Sequence, residues 1–185
     1  MIVHKVAHRY SKSLLDLAIE QNLVEEVKAD MDLILVFNHA SSDFKTLLKS
    51  PVVRRDLKKK SLDKVFSNEL CAISDNFIDV LLRKNREYLL AEIAESFVAR
   101  YNEYKDIVVA KVTTAVPLND ENEKEIIALV HKMKKGNVQI EEVIDPELIG
   151  GFIVRVGDMQ IDSSVIRELN VMRREMNENP YIAEL

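Results

Sequence analysis

Apolar residues recur every three or four positions through the first 105 residues, which is the spacing of amphipathic α-helices. The pattern predicts six helices. Ser41 or Ser42 fits the start of the third helix, which ends before Pro51 because a residue that precedes proline disfavours helical torsions. Ser74 or Asp75 fits the start of the fifth. No alternating strand pattern interrupts this part of the chain, so we expect a six-helix bundle.

The period of the apolar pattern changes from about 3.6 to about two residues after Lys105. Residues 107–116 and 138–144 are β-branched and alternating, which is typical of strands. A helix lies between them, and Asp120 with Glu123 fits its N-terminal cap. This order predicts a β-α-β crossover.

Two further short strands, residues 152–156 and 159–162, fit a hairpin around the two-residue turn Gly157-Asp158. One of the two serines that follow fits the cap of a last helix. The predicted fold class is therefore α+β with two domains, a six-helix bundle followed by a small α/β domain of order β-α-β-β-β-α. The change of period sets their bounds at residues 1–105 and 106–185.

The composition is that of a globular protein of one domain or two small ones, with 185 residues, 47% hydrophobic and 31% charged. No uninterrupted apolar run is longer than the five residues of Leu33 to Phe37, which is far short of the roughly 20 residues of a membrane span. No apolar signal core lies near the N-terminus, so we expect the chain to start in the cytoplasm or to have been processed earlier. Cys71 is the only cysteine, which excludes an internal disulfide, and we interpret it as a core residue.

Charge is distributed unevenly along the chain. Residues 1–105 carry 17 basic and 16 acidic groups, whereas residues 106–185 carry 9 basic and 15 acidic groups. The two halves therefore present different surfaces, and two different partners are plausible.

Three of the four glycines lie close together, at Gly150, Gly151 and Gly157. A phosphate-binding loop needs glycines between a strand and the start of a helix, where backbone N–H groups converge on the anion. Here the first two glycines precede a predicted strand and the third turns a hairpin. We therefore interpret all three as structural and expect no nucleotide cofactor.

Other candidate sites have simpler explanations. His4 and His8 have a metal-binding spacing, but no third ligand is suggested, so we interpret them as surface histidines and predict no metal site. The basic residues Arg54, Arg55 and Lys58 to Lys60 are expected to form a solvated helix face, since the chain is acidic overall. No nucleophile motif surrounds any serine, and catalytic residues are not predicted.

The stretch DPELIGGFIVRVGDMQIDSSVIREL resembles the C-terminal signature of the delta subunits of F-type ATP synthases, the family that includes the mitochondrial oligomycin-sensitivity-conferring protein. The matching residues are Asp145, Leu148, Gly150, Gly151, Gly157, Asp158, Ile161, Asp162, Ser164 and Leu169. Upstream, the pairs Arg9-Tyr10, Ser50-Pro51, Asn85-Arg86 and Thr114-Ala115 also match. Ser163 departs from the glycine that is usual in the family.

The resemblance implies a non-catalytic stator subunit of a proton-translocating ATP synthase, peripheral on the cytoplasmic face of the bacterial plasma membrane and without a cofactor. It implies that the helical domain binds the N-terminal segments of the alpha subunits on the catalytic head. The α/β domain would then bind the b-type peripheral stalk, so that rotor torque drives ATP synthesis. The alternatives are a freestanding helical adaptor that binds an amphipathic helix, and a nucleic-acid or phosphate-binding protein that uses the lysine cluster.

Excess apolar surface on the first and fifth helices indicates where a partner helix could bind. The apolar residues of the fifth helix cover more than half its circumference, whereas a helix that faces only its own core needs an arc nearer ~100°. Either this helix is central to the bundle, or a groove between helices one and five accepts an amphipathic helix. The resemblance favours the groove, and the residues expected to border it are Val6, Tyr10, Ser13, Asn76 and Val80.

Overall fold

A computed structural model describes residues 2–66, 69–134 and 136–177. The chain divides into two compact units, Met1–Tyr104 and Lys105–Leu185. The first is helical where it is described, and the second contains a four-stranded sheet. The expectation of an α+β chain with a helical N-terminal part and a small C-terminal sheet domain is confirmed.

Helix α6 organises the first unit, because α1 and α2 both pack mainly against it. The largest fully buried side chains of this unit include Leu14, Met31, Ile34, Leu81 and Phe97. The described helices are α1 (Ile2–Glu20), α2 (Val24–Ala40), α3 (Ser42–Lys49), α4 (Arg55–Phe66), α5 (Ala72–Arg83) and α6 (Leu90–Tyr104), the last preceded by the 3₁₀ turn Glu87–Leu89.

The cap of α3 is confirmed, since the Ser41 hydroxyl accepts a hydrogen bond of 3.2 Å from the backbone N–H of Phe44. The predicted start of α5 at Ser74 or Asp75 is wrong, because the helix begins at Ala72.

A residue distant in sequence explains this earlier start of α5. The buried Asp30 of α2 accepts a 3.1 Å hydrogen bond from the backbone N–H of Cys71, just before the first turn. Ser74 lies inside the helix, fully buried, with its hydroxyl oxygen 3.3 Å from the Cys71 thiol that donates to it. Tertiary packing therefore satisfies the helix terminus in place of a local serine cap.

Helix α5 ends in a Schellman motif. Asn85 adopts a positive φ of 53°, a conformation that asparagine tolerates better than most residues. The Asn85 N–H donates to the Leu82 carbonyl oxygen at 3.2 Å, and the Arg86 N–H donates to the Leu81 carbonyl oxygen at 2.9 Å. The turn ends the helix and leads directly into the 3₁₀ turn that precedes α6.

The second unit consists of β1 (Ile107–Thr114), α7 (Asp120–Met133), β2 (Asn137–Ile144), a 3₁₀ turn (Pro146–Leu148), β3 (Gly151–Val156), β4 (Met159–Ser164) and α8 (Val165–Asn177). The strand order is β2-β1-β3-β4. Strands β1 and β2 are parallel, which confirms the crossover, and β3 is antiparallel to both β1 and β4.

Helix α7 covers one face of this sheet. Its Ile126 and Val130 pack with Val108, Ala110 and Val112 of β1 in a buried cluster. The cap of α7 was predicted one residue too late, because the Asn119 side-chain oxygen accepts the hydrogen bond of 2.9 Å from the Asn122 N–H. Asparagine and aspartate cap equally well, so sequence alone did not separate Asn119 from its neighbour.

Candidate partner-binding site

Helix α1 carries a partly exposed stripe beside its buried face. Val6 and Tyr10 are half-buried, Ser13 is exposed, and the Leu17 side chain is 40% exposed. These four positions are three or four residues apart and therefore lie along one side of the helix. The adjacent Leu14 is 1% exposed and belongs to the core. The stripe thus leaves apolar side chains accessible next to a completed core.

Helix α5 has a corresponding exposed stripe that contains Asn76 and Val80. The Val80 side chain is 43% exposed, and Asn76 is also exposed. The interpretation of α5 as a helix central to the bundle therefore fails for Val80. It holds for the neighbouring apolar residues, since Ile78 and Leu81 are buried.

Tyr10 and Phe77 join the two helices. Their rings meet edge to face, with centroids 6.2 Å apart and an interplanar angle of 68°. Successive residues of a helix are rotated by about 100°, which places Val80 between Asn76 and Phe77 around α5. Val80 therefore lies around α5 next to Phe77, whose ring contacts Tyr10 of α1. We call the surface formed by Val6, Tyr10, Ser13, Leu17, Asn76, Phe77 and Val80 the α1–α5 groove.

Arg86 completes one end of the α1–α5 groove. Its guanidinium lies 5.6 Å from the centroid of the Tyr10 ring, and its Nη1 donates a hydrogen bond of 2.8 Å to the Tyr10 hydroxyl. Sequence reasoning did not assign Arg86 or Phe77 to the site. Phe77 belongs to the apolar arc of the helix, but the placement of Arg86 follows only from the turn at Asn85.

The expectation that the lysine cluster forms a solvated face is wrong for Lys58. Its side chain is only 3% exposed, and its Nζ donates to the Leu48 carbonyl oxygen at 3.1 Å and to Glu87 Oε1 at 2.6 Å. A buried ammonium must be paired to offset its desolvation, and both contacts serve that need. Lys58 therefore connects α3 to the turn before α6.

Lys59 also forms salt bridges within the helical unit. Its Nζ lies 2.6 Å from an Asp79 oxygen, 3.0 Å from Asp75 and 3.9 Å from Asp63. Burial lowers the pKa of Lys59, but the hydrogen bonds that its ammonium donates to Asp79 and Asp75 outweigh this, and the pKa is raised. Lys58 and Lys59 therefore stabilise the helical unit, which leaves the phosphate-binding interpretation without its central residues.

The glycine pair of the signature permits two segments of backbone to approach closely. Gly151 has a φ of 78°, and a Cβ atom at this position would lie 2.2 Å from the Ser163 carbonyl oxygen. Gly150 accepts a hydrogen bond of 3.1 Å at its carbonyl oxygen from the Val165 N–H. The interpretation of these glycines as structural rather than phosphate-binding agrees with this geometry.

The predicted hairpin turn is confirmed. Val156 pairs with Met159 across the two-residue loop Gly157-Asp158, and Gly157 has a φ of 56°. This places the first loop residue in the left-handed region, where glycine is unstrained.

Aspartates and a serine of the signature satisfy local backbone groups. Asp145 Oδ1 accepts from the Glu147 N–H at 3.0 Å, and Asp162 Oδ1 accepts from the Ser164 N–H at 2.9 Å. The Ser164 hydroxyl accepts from the Arg167 N–H at 3.3 Å, which confirms a serine cap for α8. Hydrogen bonds from Ser164 lower the pKa of Asp162. These residues fix turns and a helix start.

Helix α8 exposes an apolar face, and the helical spacing of its apolar residues in the sequence did not predict this exposure. The exposed side chains are Val165 at 38%, Leu169 at 53%, Met172 at 57% and Met176 at 87%. Their spacing of four, three and four residues is that of a coiled-coil seam. We call these four residues the α8 seam. Glu168 and Glu175 lie along one flank of it.

No group of histidine, cysteine, aspartate and glutamate suited to a metal occurs among the residues that the structure describes. The side chain of His4 lies outside them.

Burial raises the pKa of the half-buried Cys71 thiol, and so does its contact with Asp30. Within the described ranges, no helix is long and apolar enough to cross a membrane.

Comparison with known proteins identifies relatives along nearly the whole chain. Residues 6–176 match the family model described as ATP synthase delta (OSCP) subunit. ATP synthase subunit delta of Christiangramia forsetii is 37% identical over 181 residues, which cover 98% of each chain. The same subunit of Chlorobium phaeobacteroides is 35% identical over 172 residues, which cover 93% of this chain and 96% of the relative.

A solved structure has the same fold. A chain of the Toxoplasma gondii mitochondrial ATP synthase hexamer matches with a TM-score of 0.69 at 23% identity. The match covers 92% of this chain and 96% of the other.

Proposed function

The chain belongs to the ATP synthase delta (OSCP) subunit family, and we propose that its two units bind the catalytic head and the peripheral stalk respectively. Members of this family are structural rather than catalytic, and the chain is a stator component of an F-type ATP synthase. In the proposal, the six-helix bundle binds the N-terminal segments of the alpha subunits. The C-terminal unit binds the b-type stalk, on the cytoplasmic face of the bacterial plasma membrane.

The single observation that best supports head binding is the exposed Val80 beside the Tyr10–Phe77 contact. An amphipathic helix binds by laying its apolar face into such a groove between two helices. Val80, Leu17 and Tyr10 offer apolar contact, and Asn76 offers a hydrogen bond at the rim. Ser13 is small and its hydroxyl is bonded to the Arg9 carbonyl oxygen at 3.1 Å, so a helix can approach closely there.

The α8 seam supports stalk binding by the C-terminal unit. Helices of fewer than about 12–15 residues are marginal in water, and most of their stability in proteins comes from packing of an apolar face. Helix α8 has 13 residues and exposes its seam. The described part of the seam spans about two heptads, fewer than the three or four that are typical of a coiled coil. A helix held in place by an assembled stalk fits this surface better than a second copy.

The mechanism in this proposal is mechanical. One protein that binds the head with one unit and the stalk with the other prevents the head from turning with the rotor. This duty requires affinity and stiffness at both contacts and no reactive group. The freestanding adaptor is not favoured, because the family match covers residues 6–176 and therefore both units.

Fluorescence anisotropy tests the proposal with labelled peptides from the N-terminus of the alpha subunit and the C-terminus of the b-type subunit of the same organism. We expect the full chain to bind both at once, so that saturation with one leaves the affinity for the other unchanged. Binding of the alpha peptide alone would contradict the proposed stalk contact of the C-terminal unit. Failure to bind either peptide would contradict the proposed function.

A further inference from the structure

The loop between β2 and β3 holds an isoleucine in a backbone conformation that isoleucine rarely adopts. Ile149 has a φ of 61° and a ψ of −44°, and the Gly150 N–H donates a hydrogen bond of 2.6 Å to the Leu148 carbonyl oxygen. A bond between residues i and i+2 around a central residue of positive φ is the rare, strained form of the γ-turn. A β-branched residue at such a φ is an outlier, whereas glycine would be free of the strain.

Contacts on both sides of Ile149 hold the turn in this conformation. On one side, the Leu148 side chain is buried, and its N–H donates to the Asp145 carbonyl oxygen at 3.1 Å. On the other side, the Gly150 carbonyl oxygen accepts a hydrogen bond of 3.1 Å from the Val165 N–H. Strained torsions persist where the surrounding structure determines the path of the chain, as it does here, and they are common at binding sites.

The Ile149 side chain adds little to the core of its own unit, because it is 70% exposed. The residue after it is bonded to Val165, the first residue of the α8 seam, so Ile149 lies beside the start of that seam. Acidic side chains are exposed on either side, with Glu147 two residues before Ile149 and Glu168 along the seam. The strained turn therefore displays an apolar side chain, in acidic surroundings, at one end of an uncovered apolar stripe.

We propose that Ile149 is an apolar anchor for the helix that docks on the α8 seam, and that the strained turn serves to display its side chain. The inference rests on the proposed stalk contact of the C-terminal unit. The occupant is a helical segment of the b-type subunit that places an apolar residue on Ile149 and a basic residue beside Glu147. Because the turn keeps its conformation on docking, the strain destabilises the fold of the unit and does not weaken binding.

Binding of a peptide from the C-terminus of the b-type subunit to the full chain measures the contribution of the Ile149 side chain. We expect Ile149→Ala and Ile149→Gly to weaken binding by similar factors, roughly tenfold or more, as for the loss of an apolar anchor. Glu147→Gln should weaken binding about two- to fivefold at low salt, as for an exposed ion pair.

The matched control for the loss of side chain is Ile144→Ala. Ile144 is also an exposed isoleucine, at 51%, but it lies on β2, at the opposite edge of the sheet from β4 and the start of α8. Its replacement should change the affinity for the stalk peptide less than about threefold.

Urea unfolding of the two Ile149 variants in the full chain tests whether the turn is strained. The alanine variant keeps a Cβ atom and therefore most of the strain, whereas the glycine variant relieves it. We expect the unfolding midpoint of the C-terminal unit to be higher in Ile149→Gly than in Ile149→Ala by about 0.3–1 M urea. In an unstrained loop the order is the opposite, because glycine gains more freedom on unfolding.

Two results would overturn the inference while the proposed stalk contact stands. One is wild-type affinity in Ile149→Ala, and the other is a lower unfolding midpoint in Ile149→Gly than in Ile149→Ala. Wild-type affinity in Glu147→Gln would overturn the basic residue assigned to the occupant. Absence of binding of the stalk peptide to the wild-type chain would overturn the stalk contact and the inference together.

Discussion

The two units of the chain differ in how completely they bury their own apolar surface. The helical unit has large side chains fully buried at its centre, such as Phe97 and Met31, and its accessible apolar groove lies beside that core. The core cluster of the C-terminal unit consists mainly of valines, with Ala110 and Ile126, and the four residues of the α8 seam remain exposed. The comparison teaches that one unit has accessible apolar residues beside a completed core, whereas the other leaves the apolar seam of a helix uncovered.

The largest expected difference is between the thermal stabilities of the two units when each is produced as a separate fragment. A fragment of residues 1–105 should fold alone into a cooperatively melting helical monomer, because residues 1–104 form a compact unit with buried side chains of its own. Residues 106–185 should be much less stable, since a small core buries little apolar area. Circular dichroism during thermal unfolding checks both fragments. An N-terminal fragment with little helix and no cooperative transition would break the comparison.

Gly151→Ala should destabilise the C-terminal unit alone. A Cβ atom at Gly151 meets backbone at 2.2 Å and requires a left-handed conformation, so a cost of roughly 3 kcal/mol or more is expected. Gly157→Ala is the matched control, because its Cβ would meet nothing within 4 Å. It should lose only about 1 kcal/mol for the positive φ.

Urea unfolding of the two variants in the full chain measures these costs. The transition of the helical unit should stay where it is in the wild type. Equal losses of unfolding free energy in the two variants would mean that the close approach at Gly151 does not constrain the fold.

Local sequence patterns predicted those parts of the fold that local physics decides. The Ser41 cap and the Gly157 hairpin depend on residues within a few positions of each other, and both are present. The start of α5 depends on Asp30, which is distant in the sequence. The burial of Lys58 likewise depends on Glu87, a contact made only after the helices pack.

The residues of the candidate site likewise divide into those that the sequence pattern predicts and those that only tertiary contacts bring there. The apolar arcs that mark Tyr10 and Val80 are visible as helical periodicity, whereas Arg86 reaches the groove only through a tertiary contact. The α8 seam has a readable spacing, but its exposure depends on what the sheet leaves uncovered.

Asp162→Asn should make the free energy of unfolding of the C-terminal unit vary slightly less with pH in the acidic range. Hydrogen bonds from Ser164 lower the pKa of Asp162 from its ordinary value of 3.8. The stabilisation by the ionised form is therefore complete above that value and is lost as pH falls through the lower folded pKa. Unfolding measured between pH 5 and pH 2, roughly the range in which such carboxylates titrate, checks this. An identical pH dependence in wild type and variant would contradict it.

The smallest expected effect is that of salt concentration on the binding of the stalk peptide. The excess of acidic groups in residues 106–185 suggests an electrostatic part to the stalk contact, and exposed charges are screened at high ionic strength. We expect the stalk peptide to bind a few times more weakly at about 0.5 M than at about 0.05 M salt. Unchanged association would assign the contact to the α8 seam alone.

The most direct test of the central claim compares Val80→Asp with Val36→Asp in the full chain. Both valines are exposed on helices, at 43% and 62%, but only Val80 borders the α1–α5 groove. A charge in the desolvated contact should weaken alpha-peptide binding by at least about 30-fold, or about 2 kcal/mol, while Val36→Asp binds as the wild type does. Both variants should keep the melting temperature within a few degrees, since surface substitutions change stability by about 0.5 kcal/mol. Undiminished peptide binding by Val80→Asp, or a collapse of its helical unit, would contradict the account.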